Sequence, residues 1–168
     1  IGEQADYLRF LPERTPENRR AWWVAMISSG PGWIVIGALK ICDYMVERLG
    51  KDVTYAMNRG IPGITDNQRS GDFKDCVAEK GNWNVVYEHY GEYQREGGFE
   101  GTQLILQAYP EAKVIHNANT AMSMGSVEAQ VAVGKEKEIF STGWGGTGLE
   151  LDAIRRGELD ATPMRMGD

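Results

Sequence analysis

The sequence predicts an α/β fold: a three-layer α-β-α lobe with a mainly parallel sheet flanked by helices. Three observations predict it. Short apolar runs alternate strictly with stretches of helical period along the chain. The connections between them are short. Apolar runs such as "NVVY" and "KVIH" suit strands covered on both faces.

The elements follow in order. Residues 1–20 are charged and irregular, with Pro12 and Pro16 breaking any helix, and read as a surface arm or linker. Residues 21–168 read as a single α/β ligand-binding lobe. "AWWVAMISS" (Ala21–Ser29) reads as a buried strand that ends in a Ser-Ser-Gly-Pro-Gly turn. The helix Trp33–Gly50 repeats apolar residues at Ile36, Leu39, Met45, Val46 and Leu49, and Gly50 sits where a C-terminal cap belongs. Strand "DVTYAMN" is followed by helix "NQRSGDFKDCVAEKG", and strand "NWNVVYEHY" by helix "GFEGTQLILQAYP". Strand "AKVIHNAN" leads into helix "TAMSMGSVEAQVAVG", with Thr120 as N-cap. Strand "KEIFSTGW", helix "GTGLELDAIRRGE" and a last strand "LDATPMRM" complete the series.

Composition narrows the function. With 168 residues, 42% of them hydrophobic and 25% charged, the chain has the makeup of an ordinary soluble domain. Its net charge of −6, with no basic stripe, argues against nucleic acid as a partner. The most apolar stretch, Trp33–Leu39, is interrupted by Gly37 and followed by Lys40, so no span across a bilayer is expected. The opening "IGEQADYLRF" lacks the pattern of a signal peptide. Cys42 and Cys76 fall at apolar helical positions, match no zinc or redox spacing, and read as buried free thiols.

In an open parallel sheet, ligands bind beyond the carboxyl ends of the strands. The residues expected there are Arg69, then His89, Tyr90 and Tyr93, then His116, Asn117, Asn119 and Thr120, then Trp144 among glycines, and finally Arg165. Taken singly, Arg165 could pair with Asp168 and Trp144 could cap the core. Together they read as a polar small-molecule pocket, in which guanidinium forks meet carboxylate, phosphate or vicinal oxygens and an indole offers a flat face. Enzyme motifs are missing: there is no G-x-S-x-G elbow and no phosphate loop, and "GWGGTG" lacks the G-x-G-x-x-G register. His89 and His116 read as strand-end polar residues rather than metal ligands. No catalytic residue, metal or cofactor is expected.

The order "IHNANTAMSMGSVEA" and then "STGWGGTGLELDAIRRGELDATPMRM" resembles the ribose-type (type I) periplasmic sugar-binding proteins, over about Trp22 to Asp168. Within that superfamily, "GWGGTGLELDAIRRGELDATPMRMGD" and "TDNQRSGDF" are most similar to the LuxP-like receptors for autoinducer-2. The resemblance implies a ligand site built from Arg69 and Arg165 on the anionic face of a furanosyl borate diester. Trp144 would lie against the ring, Thr120 would give a hydroxyl, and Asn119 shares its loop. Boron would enter only as part of the ligand. The turn that usually carries an acid has Gly145 here, and a guanidinium, Arg165, stands where sugar binders carry a neutral amide; both departures favour an anionic ligand.

The resemblance further implies a periplasmic location and, in the full receptor, a membrane sensor kinase or an ABC transporter permease as partner. Such receptors have two lobes, and this chain is expected to supply one of them. The alternatives are the solute-binding component of a sugar ABC transporter and the effector domain of a LacI-type regulator.

Overall fold

The structure is a computed structural model, and it describes residues 14–29 and 31–163. A four-stranded, fully parallel sheet lies at the centre, in the order β2-β1-β3-β4. Its strands are β1 (Thr54–Arg59), β2 (Asn84–Tyr90), β3 (Val114–Asn117) and β4 (Phe140–Thr142). The helices are α1 (Arg19–Ser29), α2 (Pro31–Leu49), the short α3 (Ile64–Asp66), α4 (Asp72–Gly81), α5 (Arg95–Ala108), α6 (Thr120–Val131) and α7 (Gly148–Arg156). A π-helical segment, Asn67–Gly71, joins α3 to α4. The predicted α/β architecture with helices on both faces of a parallel sheet is what the chain adopts.

Alternation along β1 explains the layers. Tyr55 and Met57 face α2 and α4, where they pack with Ile34, Ala38, Ile41, Met45, Phe73 and Val77. Ala56 faces the other way, toward Ile105 of α5 and Ile115 of β3. A third cluster, Met124, Val127, Ala153 and Leu159, joins α6 to α7. The "VIH" of "KVIH" is buried on both faces as predicted, with Lys113 exposed ahead of it, whereas β2 is an edge strand and stays half-buried over most of its length.

Three expectations are corrected. Ala21–Ser29 is helical, not a buried strand. The stretch is apolar on nearly every side, so alternation could not distinguish the two. Its partly buried residues, Trp22, Ala25 and Met26, repeat at helical spacing, while Trp23, Val24 and Ile27 are exposed. In α2 the buried face runs through Ile34, Ala38, Ile41, Cys42 and Met45, and Ile36 and Leu39 are exposed. Finally, Cys42 and Cys76 are not free thiols but a disulfide that ties α2 to α4, with their Cα atoms 6.2 Å apart. Two cysteines at apolar positions of separate helices are compatible with either state, and only the packing of α2 on α4 brings them together.

The ends of the elements fit the sequence more closely. Gly50 closes α2 in the left-handed conformation at φ 84°. Asn119, one residue before the expected Thr120, caps α6 by accepting a hydrogen bond from the Met122 amide (2.9 Å). Of the expected last strand, Ala161 makes a single parallel bridge to Thr142. The residues from 164 onward, Arg165 included, and those before 14 lie outside the described residues.

The disulfide closes a loop of 34 residues in sequence separation. Replacing both cysteines with serine lowers the free energy of unfolding by about 2–4 kcal/mol, measured by urea denaturation. A thiol reductant causes the same loss in the unsubstituted protein and none in the double variant.

Candidate ligand-binding site

All four strands point their carboxyl ends to one edge, and the candidate residues gather there for identifiable reasons. Arg69 is delivered by the π-helical segment, a geometry that widens the helical turn and re-aims a side chain. The start of that segment is pinned by Asp66, which is fully buried. Its carboxylate accepts from the Arg59 guanidinium (2.6 and 2.8 Å), the Gly60 amide (2.9 Å) and the Ser70 hydroxyl (3.1 Å). Arg59 also meets Glu88 (2.6 Å), which a second cation, Lys74, approaches from α4.

Arg69 Nη1 donates to the Ala118 carbonyl (3.3 Å) beyond the end of β3. Its guanidinium carbon lies 5.7 Å from the ring centre of Tyr93 and 5.9 Å from that of Trp144. Trp144 in turn meets His116 edge-on at 6.2 Å, and His116 stacks on Phe73 at 4.0 Å. A continuous pile of rings and one guanidinium thus runs Phe73, His116, Trp144, Arg69, Tyr93, from the core to the rim.

His116 and Asn117 are not strand-end rim residues. Both are fully buried within β3. His116 Nδ1 shares a hydrogen bond with the Thr142 hydroxyl (2.7 Å), and its Nε2 has no hydrogen-bond partner among the described residues. Burial holds its pKa down to about 3, so the ring is neutral and behaves as an aromatic spacer beneath Trp144.

Thr120 occupies the first turn of α6. A Cβ built on Gly145 would fall 2.6 Å from its hydroxyl, so the glycine turn and Thr120 occupy adjoining space. Asn119 has both ends of its amide engaged: Oδ1 caps α6, and Nδ2 donates to the Tyr93 carbonyl (2.9 Å). The structure therefore brings Arg69 and Trp144 into contact and sets Thr120 beside the turn that carries Trp144. Asn119 is placed behind Tyr93.

Tyr93 is the residue that sequence reasoning placed on the rim without singling it out. It and Glu92 are consecutive non-glycine residues at positive φ, 63° and 54°, a strain that accumulates at functional loops. Its ring lies directly on Gly60, where a Cβ would come within 1.9 Å of the Tyr93 ring carbon Cζ. Its hydroxyl is buried without a hydrogen-bond partner among the described residues. Burial pushes that hydroxyl's pKa up, against the pull of Arg69. Apart from the "YGEY" turn itself, nothing in the sequence marks this strained presentation.

A family described as periplasmic binding protein domain matches residues 16–164. The chain belongs to that family. The ribose import binding protein RbsB of Salmonella typhimurium is 26% identical over 135 residues, covering 80% of this chain and 45% of that protein. The D-apiose import binding protein of Paraburkholderia graminis is 25% identical over 120 residues, covering 71% and 35%. Among solved structures, an ABC transporter periplasmic solute-binding protein from Actinobacillus succinogenes with bound D-allose is similar with a TM-score of 0.71 and 26% identity, over 77% of this chain and 46% of that one. The chain thus spans less than half the length of these curated relatives. The names of the two curated relatives speak of ribose and D-apiose import.

The buried neutral histidine makes stability depend on pH. Its folded-state pKa, about 3, lies below its ordinary value of 6.5, so the unfolded chain takes up the proton first as pH falls. His116 therefore removes stability progressively between those two values, by up to about 1.4 kcal/mol per pH unit. His116→Phe flattens that part of the profile, which urea midpoints at pH 7 and pH 5 read directly.

Proposed function

We propose that this chain is the ligand-binding lobe of a periplasmic solute-binding protein that captures a small sugar or sugar-like polyol for an ABC importer. The observation that carries the reading is the rim itself: a guanidinium held between two aromatic rings at the carboxyl edge of a parallel sheet, in a chain of this family. Sugars offer apolar C–H faces to aromatic rings and vicinal hydroxyls to a planar fork of donors. The sugar-import relatives support this reading over the quorum-sensing one and over the regulator. The Cys42–Cys76 disulfide fits an oxidising compartment such as the periplasm.

A second reading, a LuxP-like autoinducer-2 receptor read by a membrane sensor kinase, is favoured by one feature. The turn beside Thr120 carries Gly145 in place of an acceptor carboxylate, while Arg69 supplies positive charge. Arg165 would add a second guanidinium.

Calorimetric titration of the full-length protein with D-ribose, D-allose and D-apiose tests the first reading, and saturable binding of at least one is expected. Arg69→Ala costs about 1.5–3 kcal/mol of that binding if its bonds to the ligand are charge-assisted. Tyr93→Ala weakens it as well, whereas Tyr93→Phe retains the ring contact. Autoinducer-2 that binds more tightly when borate is added, with no sugar bound, replaces the import reading by the second.

A further inference from the structure

Glu150 is a fully buried carboxylate in the first turn of α7. A capping glutamate at that position ordinarily accepts from the amide of the residue that opens its own helix, and Oε2 does accept from the Thr147 amide (3.2 Å). The other three donors lie outside α7. Oε1 accepts from the Ser123 hydroxyl of α6 (2.9 Å) and from the Trp144 amide (3.0 Å). Oε2 also accepts from the Thr162 hydroxyl (3.1 Å), in the segment that leads to Arg165. That same Thr162 oxygen accepts from the Gly146 amide (3.1 Å). One side chain therefore joins the start of α6, the Trp144 turn and the chain toward Arg165.

The fit around it is close. A Cβ on Gly143 would lie 2.1 Å from Oε1 and 3.1 Å from the Ser123 hydroxyl. The backbone just before Trp144 is thus pressed against the carboxylate, and the Trp144 amide is bonded to it. The carboxylate and the backbone that carries the indole are therefore in direct contact.

We propose that Glu150 is a positioning residue of the ligand site: its carboxylate sets where Trp144 stands against Arg69 and holds the Thr162 segment to the same frame. This rests on the sugar-binding reading for its ligand but not for its geometry. Glu150→Gln preserves the volume and replaces one acceptor oxygen with a donor, which then faces a backbone amide or hydroxyl it cannot satisfy as Glu150 does.

The test uses the full-length protein in two arms. In the unliganded protein, hydrogen exchange at the Trp144 amide rises about tenfold or more in Glu150→Gln, while the Met57 and Ile115 amides of the sheet keep their protection. In the liganded arm, D-ribose and D-allose are titrated into the wild type, Glu150→Gln, Trp144→Phe and the double variant. Glu150→Gln weakens binding about tenfold in the wild-type background and less than about threefold beside Trp144→Phe, the non-additivity of groups that act through one another. Unchanged protection at Trp144, or fully additive losses, overturns the proposal. If Glu150→Gln fails to fold, Ser123→Ala removes a single donor, and faster exchange at Trp144 alone is then the supporting result and unchanged exchange the overturning one. A wild type that binds neither of these sugars nor D-apiose overturns the sugar reading, and the exchange arm still decides the role of Glu150.

Discussion

A buried chain of side-chain hydrogen bonds across one face of the sheet fixes everything above it. Asn58 of β1 donates to Thr102 of α5 (2.9 Å) and to Asn117 of β3 (2.8 Å). Thr102 donates to Ser126 of α6 (2.8 Å), Gln130 of α6 bonds Ser126 and Ser141 of β4, and Asn117 donates to the Thr142 carbonyl (2.8 Å). An apolar interface tolerates sliding by a residue's worth of contact. A buried polar network in a low-dielectric interior does not, because each broken bond leaves a desolvated group. β1, β3, β4 and the helices α5 and α6 are therefore held in one register. Strand ends that must meet at a common edge depend on it.

The opposite face solves a different problem. There Arg69 has to reach the rim from a segment that crosses the end of β1. The Arg59–Asp66 pair, with the Arg59 side chain only 10% exposed and Asp66 fully enclosed, anchors the π-helical turn that carries it. A buried pair of this kind contributes modestly to net stability, since desolvation offsets most of the attraction, but losing one partner is costly. Its value here is geometric. Gly60 accepts the Tyr93 ring on its bare Cα, and the Asp66 carboxylate holds the Gly60 amide, so the two aromatic-facing elements of the rim share one anchor.

These anchors mark the boundary of what the sequence discloses. Strict alternation of strand and helix is a statement about hydrophobic period, and period is written in the residues. That is why the parallel sheet, its layers and the Gly50 cap are legible. Period fails where apolar residues fill every side: Ala21–Ser29 satisfies a buried strand and a helix equally, and α2 has Ile36 and Leu39 opposite its true buried face. The disulfide and the polar chain are long-range pairings between residues that look locally unremarkable. Of the candidate site, the placement of Arg69, Trp144 and Thr120 at the carboxyl edge of the sheet is legible from the rule that ligands lie beyond strand ends. Tyr93 is not, because its role comes from two left-handed residues and a bare glycine across the loop.

The ring pile also changes which residues face a ligand. Trp144 is only 6% exposed, with His116 beneath it and Arg69 above. A broad stacking surface for a sugar cannot come from an indole so enclosed in this lobe. The accessible elements of the pile are the guanidinium and Tyr93, which is half-buried. Trp144 acts chiefly as the wall against which the Arg69 guanidinium is oriented, just as Phe73 and the neutral His116 back Trp144. Burial beneath Trp144 keeps the His116 ring neutral, so Arg69 is the cation of that column. On the proposed sugar-binding reading, specificity rests on what Arg69 meets. Gly145 carries no side chain of its own, and a substituent there would first have to displace the Thr120 hydroxyl.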